Sequence, residues 1–132
     1  MTNTDALGEA CTRFEQIGER VNTTPELVRR GRYLSTTLLV GIGQVNYYVT
    51  IDAGRVTAVE RGPKLTVTTA LTIRAEPDIW LKYWEAIPAP SWNDLSALVK
   101  HKRATLEGDF RLLMANLQYV KDVLASPRQA RA

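Results

Sequence analysis

Residues 64–124 read KLTVTTALTIRAEPDIWLKYWEAIPAPSWNDLSALVKHKRATLEGDFRLLMANLQYVKDVL, and this stretch decides the fold. Leu65, Val67, Thr69, Leu71 and Ile73 alternate as a strand. Pro77 stands where a helix tolerates a missing N–H, and Trp80, Tyr83, Trp84 and Ile87 follow at i, i+3, i+4 and i+7, which predicts one apolar helical stripe. Pro88 and Pro90 end that helix. Asn93 or Asp94 caps a second one, with Leu95, Leu98 and Val99 on one side. Ala104 to Glu107 reads as a short strand, Gly108 as a sharp turn and Asp109 as an N-cap. The closing helix carries Phe110, Leu113, Met114, Leu117, Val120 and Leu124 before Ser126-Pro127 stops it. Large apolar side chains thus lie on helices and one sheet face, with few reactive groups among them. That pattern predicts a cavity for an apolar ligand rather than a site that breaks bonds.

Upstream, the period changes twice. Leu7, Ala10, Phe14, Ile17 and Val21 recur at steps of three or four, predicting one helix over residues 5–21. Thr23-Thr24-Pro25-Glu26 reads as a capping box, and Gly31 as the stop of a short helix. From Tyr33 the period becomes two: Val45, Tyr47, Val49 and Ile51 alternate with more polar neighbours. Asp52-Ala53-Gly54 and Arg61-Gly62-Pro63-Lys64 read as turns between strands, predicting an antiparallel meander with one buried face. Residues 1–32 are thus N-terminal helices, 33–75 sheet, 77–125 helices plus an edge strand, and 126–132 a tail, in a single domain of 132 residues.

Composition narrows the function classes. The net charge is +3, with basic groups at Arg29, Arg30 and Arg32, at Lys100, Lys102 and Arg103, and at Arg128 and Arg131. Such runs are ordinarily solvated helix ends, although they also suit transient contact with anionic lipid head groups. No aromatic interleaving suggests a nucleic-acid reader, so nucleic acid is not expected as a partner. Cys11 is the one cysteine, which excludes an internal disulfide and fits a reducing, cytoplasmic setting. No basic and apolar leader opens the chain, so no secretion signal is expected.

Catalytic readings find little support. Gly41-Ile42-Gly43 lacks the third glycine of a dinucleotide fingerprint and leads into a strand, so a hairpin turn is the better reading. His101 lies among Lys100, Lys102 and Arg103, without the His or Cys companions a metal needs or the orienting carboxylate a general base needs. Glu107 and Asp109 are accounted for by a strand edge and a helix start. No enzyme activity, cofactor or metal is expected.

Trp80, Trp84 and Trp92, with Tyr83, Phe110 and Met114, fill a core by default. Yet all three tryptophans fall between positions 80 and 92, Trp92 sits on a Pro-rich loop, and Met114 is an adaptable side chain suited to variable packing.

Taken together, Leu71-Thr72-Ile73 before Pro77-Asp78-Ile79-Trp80-Leu81, then Ala97-Leu98-Val99, Ala104 to Asp109 with its Gly108-Asp109 ending, and Leu113 to Leu124 resemble the sterol carrier protein domain over about residues 34–125. The resemblance implies an α+β fold: a five-stranded, mainly antiparallel sheet with helices on one face and a hydrophobic tunnel between. It implies non-catalytic binding of sterols, fatty acyl chains, acyl-CoA or phospholipid. Two departures bear on the tunnel's shape: Lys102-Arg103 stands where that family usually has glycine, and the 88–92 loop is bulkier.

The candidate ligand-binding residues are therefore Trp80, Tyr83, Trp84, Trp92, Leu98, Phe110, Leu113, Met114 and Leu117, and the expected partner is a hydrophobic small molecule or lipid. The alternative is an interaction or accessory domain in which the tryptophans plug the tunnel. A small enzyme acting on a hydrophobic substrate through His101, Glu107 and Asp109 is the third reading. An exposed strand edge and the N-terminal helix also admit a homodimer.

Overall fold

Alternation places Leu38, Val40, Tyr47, Val49, Ile51, Val56, Leu71 and Ile73 in the core, all buried, and the strands that carry them form one sheet. The computed structural model describes residues 3–64 and 67–128. Its strands are β1 (Thr36–Ile42), β2 (Val45–Asp52), β3 (Arg55–Arg61), β4 (Leu71–Ala75) and β5 (Ala104–Gly108), arranged in the order β3-β2-β1-β4-β5. Register aligns the apolar residues across the sheet: Val40 faces Tyr47 on one side and Ile73 on the other, and Ile73 in turn faces Leu106. A one-residue slip anywhere would turn this face outward.

Most pairings are antiparallel, as expected, but the fourth strand does not continue the meander. β4 leaves β3 and lies parallel to β1, which places β1 at the sheet's centre with a paired strand on either side. β4 also begins only at Leu71. Val67 and Thr69 are outside it, and Leu65 lies outside the described residues.

The β2–β3 hairpin turns through Ala53 at φ 49° and Gly54 at φ 82°, the two positive values that a two-residue turn matched to strand twist requires. Glycine at position 54 has a second cause. A β-carbon there would strike the Val28 carbonyl and Gly31, and the Tyr119 hydroxyl donates to the Gly54 carbonyl at 2.7 Å. In the other hairpin Gly43, at φ 59°, is the turn residue. Gly41 belongs instead to β1, where it leaves room for the Arg74 guanidinium, which donates to the Gly43 carbonyl at 2.7 Å.

Seven helices lie among the described residues: α1 (Asn3–Phe14), α2 (Ile17–Asn22), α3 (Pro25–Arg30), α4 (Pro77–Tyr83), α5 (Leu95–Lys100), α6 (Phe110–Ala115) and α7 (Leu117–Ala125). The single helix expected over residues 5–21 is two. Its stripe is real, with Ala10, Phe14, Ile17 and Val21 all buried, but the chain bends at Gln16 so that α1 packs on α4 and α2 on β3. The capping box is absent: the Thr24 hydroxyl donates back to the Arg20 carbonyl at 2.9 Å, and α3 starts on Pro25 with no side-chain cap. Gly31 closes α3 as expected, and the Tyr119 ring lies where its side chain would be.

α4 opens on Pro77 but ends at Tyr83, well before Pro88, because Trp84 already turns out of the helix. Ile87 therefore leaves the stripe and is 71% exposed. The closing helix is likewise broken, at Asn116 with φ −127°. α7 buries Tyr119, Val120, Val123 and Leu124, whereas α6 buries only Leu113.

Candidate functional site

The indoles of Trp80, on α4, and of Trp84, just past its end, occupy the centre of the molecule. Trp80 donates from Nε1 to the Gly41 carbonyl at 2.9 Å, and Trp84 from Nε1 to the Leu124 carbonyl at 2.8 Å. Their rings stack with centroids 5.4 Å apart, and Trp80 meets Tyr83 edge-on at 6.0 Å. All three are buried, as is Leu98. Each indole buries roughly 150–250 Å², worth at most about 4–6 kcal/mol at 25 cal/mol per Å². Satisfied N–H groups in such surroundings are core packing in energetic terms.

The open apolar space lies farther out, where α6 is held off the sheet. Gly108, at φ 119°, ends β5 and sends the chain away from it. A β-carbon here would strike the Ala70 carbonyl. Asp109 then caps α6 by accepting from the Leu112 N–H at 3.0 Å, as its position predicts. α5, β5 and α6 thereby frame a cleft of about 190 Å³, lined by Leu95, Ser96, Val99, Leu106, Leu113, Met114 and Leu117. Ser96 brings the one hydroxyl among these side chains, and none is charged. Met114 is 63% exposed at its mouth, and Phe110, one turn earlier on α6, is 52% exposed.

Of the nine residues expected at a binding site, the structure brings Leu113, Met114 and Leu117 together in this cleft. Phe110 is on the same helix without lining it. Trp80, Tyr83, Trp84 and Leu98 are in the core behind. Trp92 lies apart, on a cavity of about 160 Å³ shared with Lys82, Glu85 and Ala89. Its ring is 3.8 Å from the Arg103 guanidinium and 4.7 Å from Lys82 Nζ, contacts of the cation–π kind. Arg103 also donates to the Ser91 carbonyl at 3.0 Å and so fixes the 88–92 loop.

Sequence reasoning missed Leu95, Ser96, Val99 and Leu106. The i, i+4 spacing of Leu95 and Val99 was the available signal; Leu98, on the inner flank of the same stripe, is fully buried and does not line the cleft. Asp94 precedes α5 as expected but does not cap it. Its carboxylate is 3.2 Å from Lys121 Nζ, an ion pair that joins the start of α5 to α7.

Other groups are dispersed or occupied. His101 is exposed beyond the end of α5, and Asp109 is engaged as a cap. Among the described residues no three His, Cys, Asp or Glu side chains converge as a metal would require. Buried Cys11 lies near the Tyr47 hydroxyl, which donates to the Glu15 carboxylate and accepts from Arg61 at 3.0 Å. Burial, reinforced by the Glu15 bond, pushes the Tyr47 phenol upward. A wider, more open depression of about 420 Å³ between α2, α3 and α7 is lined by Arg20, Thr23, Thr24, Asp122 and Ser126 beside Leu27 and Ala125, so that two charged groups and three hydroxyls share its wall. Among the described residues no helix is long and apolar enough to cross a membrane.

The whole arrangement matches solved structures closely in shape. It superposes on a crystal structure of sterol carrier protein 2 with a TM-score of 0.70 and 14% identity, covering 91% of this chain and 96% of that one. A conserved hypothetical protein from Thermus thermophilus, described as a possible sterol carrier protein, gives a TM-score of 0.66 at 11% identity, covering 92% of this chain and 88% of that one. An SCP2 domain described as a ubiquinone synthesis protein gives 0.56 at 15% identity, with 88% of each chain covered. No family model and no curated protein sequence matches the chain. The resemblance read from Leu71 to Leu124 thus holds at the level of fold: a five-stranded, mostly antiparallel α+β sheet of the sterol carrier protein 2 type.

Proposed function

We propose that this chain, built on the sterol carrier fold, holds an apolar ligand in the cleft between α5, β5 and α6 without transforming it. The observation that carries the reading is the cleft's lining: six apolar side chains and Ser96, opening past exposed Met114. No acid or base lies among these groups, so nothing there can move a proton to or from a reacting atom. The solved neighbours named as sterol carrier proteins add weight.

Size refines the ligand class. About 190 Å³ is below the roughly 300–1,000 Å³ of ordinary small-molecule pockets. A single extended acyl chain suits the space better than a fused-ring sterol. α6 can widen it, because the helix is bounded by Gly108 and Asn116, both breaks in regular structure, and anchors only Leu113 in the core. The site residues we assign are Leu95, Val99, Leu106, Leu113, Met114 and Leu117, with Phe110 at the entrance.

Native mass spectrometry of the purified chain, followed by titration with palmitate, palmitoyl-CoA and cholesterol, tests the reading. Binding of one acyl chain per protein, with cholesterol weaker, is the expected result. If no lipid co-purifies and none of the three binds, the chain is not a lipid-binding module.

A second reading rests on Trp80, Tyr83 and Trp84, which fill the space between sheet and helices. On that reading the chain is an accessory domain that contacts another protein and has no ligand. A polarity-sensitive naphthalene sulfonate dye separates the two: a closed core leaves its emission unchanged, while an accessible cleft enhances it.

A further inference from the structure

The two margins of the sheet are treated differently. At β3, the Asn22 carboxamide bonds to both backbone groups of Val56, and the ladder is interrupted by a register shift at Thr50/Ile51. These are the devices by which edge strands are kept from pairing with another chain. β5 is the opposite margin. Its partner in the sheet is β4, and among the described residues nothing pairs with its outer side. Thr105 and Glu107 are exposed there.

We infer that β5 pairs with β5 of a second copy, antiparallel and centred on Thr105, joining two sheets into one of ten strands. The chain itself sets the register. Lys102, at φ 60°, stands before the strand, and Gly108, at φ 119°, is its last residue and leads the chain away. The segment left between them is residues 103–107, whose midpoint is Thr105. Antiparallel pairing about that point sets Thr105 against Thr105 and Arg103 against Glu107, twice by symmetry. Threonine pairs and opposite charges are both favourable across strands. Arg103, the last of the cationic residues 100–103, thus meets Glu107 at the acidic end of the strand, and this complementarity selects a second copy as the occupant. A two-fold contact of this kind is closed, so it yields a dimer and not a fibre.

Sedimentation velocity over a concentration series, with an oxidative cross-linking arm, tests the assignment. The chain is expected to sediment as a dimer that weakens as salt is raised. Thr105→Cys is expected to form an inter-chain disulfide within minutes of mild oxidation. Cross-strand Cβ atoms lie roughly 4.5–5.5 Å apart, near the roughly 3.5–4.5 Å a disulfide spans. Thr57→Cys, on the β3 margin, is expected to remain reduced, and buried Cys11 does not compete. Thr105→Lys brings two cations together at the two-fold and is expected to give a monomer with an unchanged melting curve. Glu107→Lys, which faces the partner's Arg103, serves the same purpose if Thr105→Lys fails to fold. A chain monomeric at every concentration overturns the inference. So does a dimer that survives both lysine variants, or one that Thr57→Cys cross-links as readily as Thr105→Cys.

Discussion

Asn22 completes the outer edge of Val56: its Nδ2 donates to the Val56 carbonyl at 2.8 Å, and its Oδ1 accepts from the Val56 N–H at 2.9 Å. A side chain at the end of α2 thereby imitates a neighbouring strand for one residue. Because Val56 is buried, its two backbone groups cannot turn to bulk water when the amide is removed. Each net hydrogen bond is worth about 0.5–1.5 kcal/mol, so Asn22→Ala is expected to lower unfolding stability by about 1–3 kcal/mol. Urea denaturation measures it. A loss near zero would show that water replaces the amide at no cost.

Trp84 makes a comparable bond from the core, Nε1 to the Leu124 carbonyl, tying α4 to the end of α7. Trp84→Phe removes the donor and leaves a void beside Trp80 and Phe14, which stack on it. An unsatisfied buried carbonyl costs about 1–3 kcal/mol before the cavity is counted. The expected loss is about 3 kcal/mol in the same denaturation experiment. A change below about 1 kcal/mol would mean that Trp84 lines open space and is not packed.

These two cases mark what was legible in the sequence. Tyr47, Val49, Ile51, Leu71 and Ile73 announce the buried sheet face through period two, and Pro77 and Asp109 announce helix starts through their chemistry. The breaks at Gln16 and Asn116 leave no such mark. A stripe at steps of three or four survives a bend, so Phe14–Ile17 and Leu113–Leu117 read the same in one helix or two. The parallel β1–β4 pairing was equally hidden, because local periodicity does not state which distant strand is adjacent. Of the candidate site, Leu113, Met114 and Leu117 converge on the cleft. Aromatic spacing could not tell Trp80 and Trp84 from pocket lining, since either role requires an apolar stripe facing inward.

Met114 provides the direct test of the cleft. At 63% exposure it has room to grow, so Met114→Trp is not expected to meet the cost of about 1–3 kcal/mol that overpacking a core carries. The larger ring would instead cover the mouth and fill part of the 190 Å³. Palmitate affinity is expected to fall at least tenfold with the melting temperature nearly unchanged or higher. A large drop in melting temperature would place Met114 in close packing, and unaltered affinity would place the ligand elsewhere.

Alkaline pH acts through buried phenols. Burial raises Tyr119 to about 12. Tyr83 is also raised to about 12, by burial first, with Arg128 opposing and Asp94 and Asp122 reinforcing. In the unfolded chain both titrate near 10. Between about pH 10 and 12 the unfolded form therefore sheds protons that the folded form retains, so stability is fully present below pH 10 and is lost as pH rises toward 12. Tyr119→Phe removes one of these protons along with the bond to the Gly54 carbonyl. At pH 8 the variant is expected to be less stable than the parent by about 1–3 kcal/mol, the cost of leaving that buried carbonyl without its partner. At pH 11 only the parent bears the ionisation penalty at this position, so the gap is expected to narrow. Urea midpoints of both proteins at the two pH values decide the matter, and a gap that stays constant or widens would mean that Tyr119 ionises in the folded chain as readily as in the unfolded one.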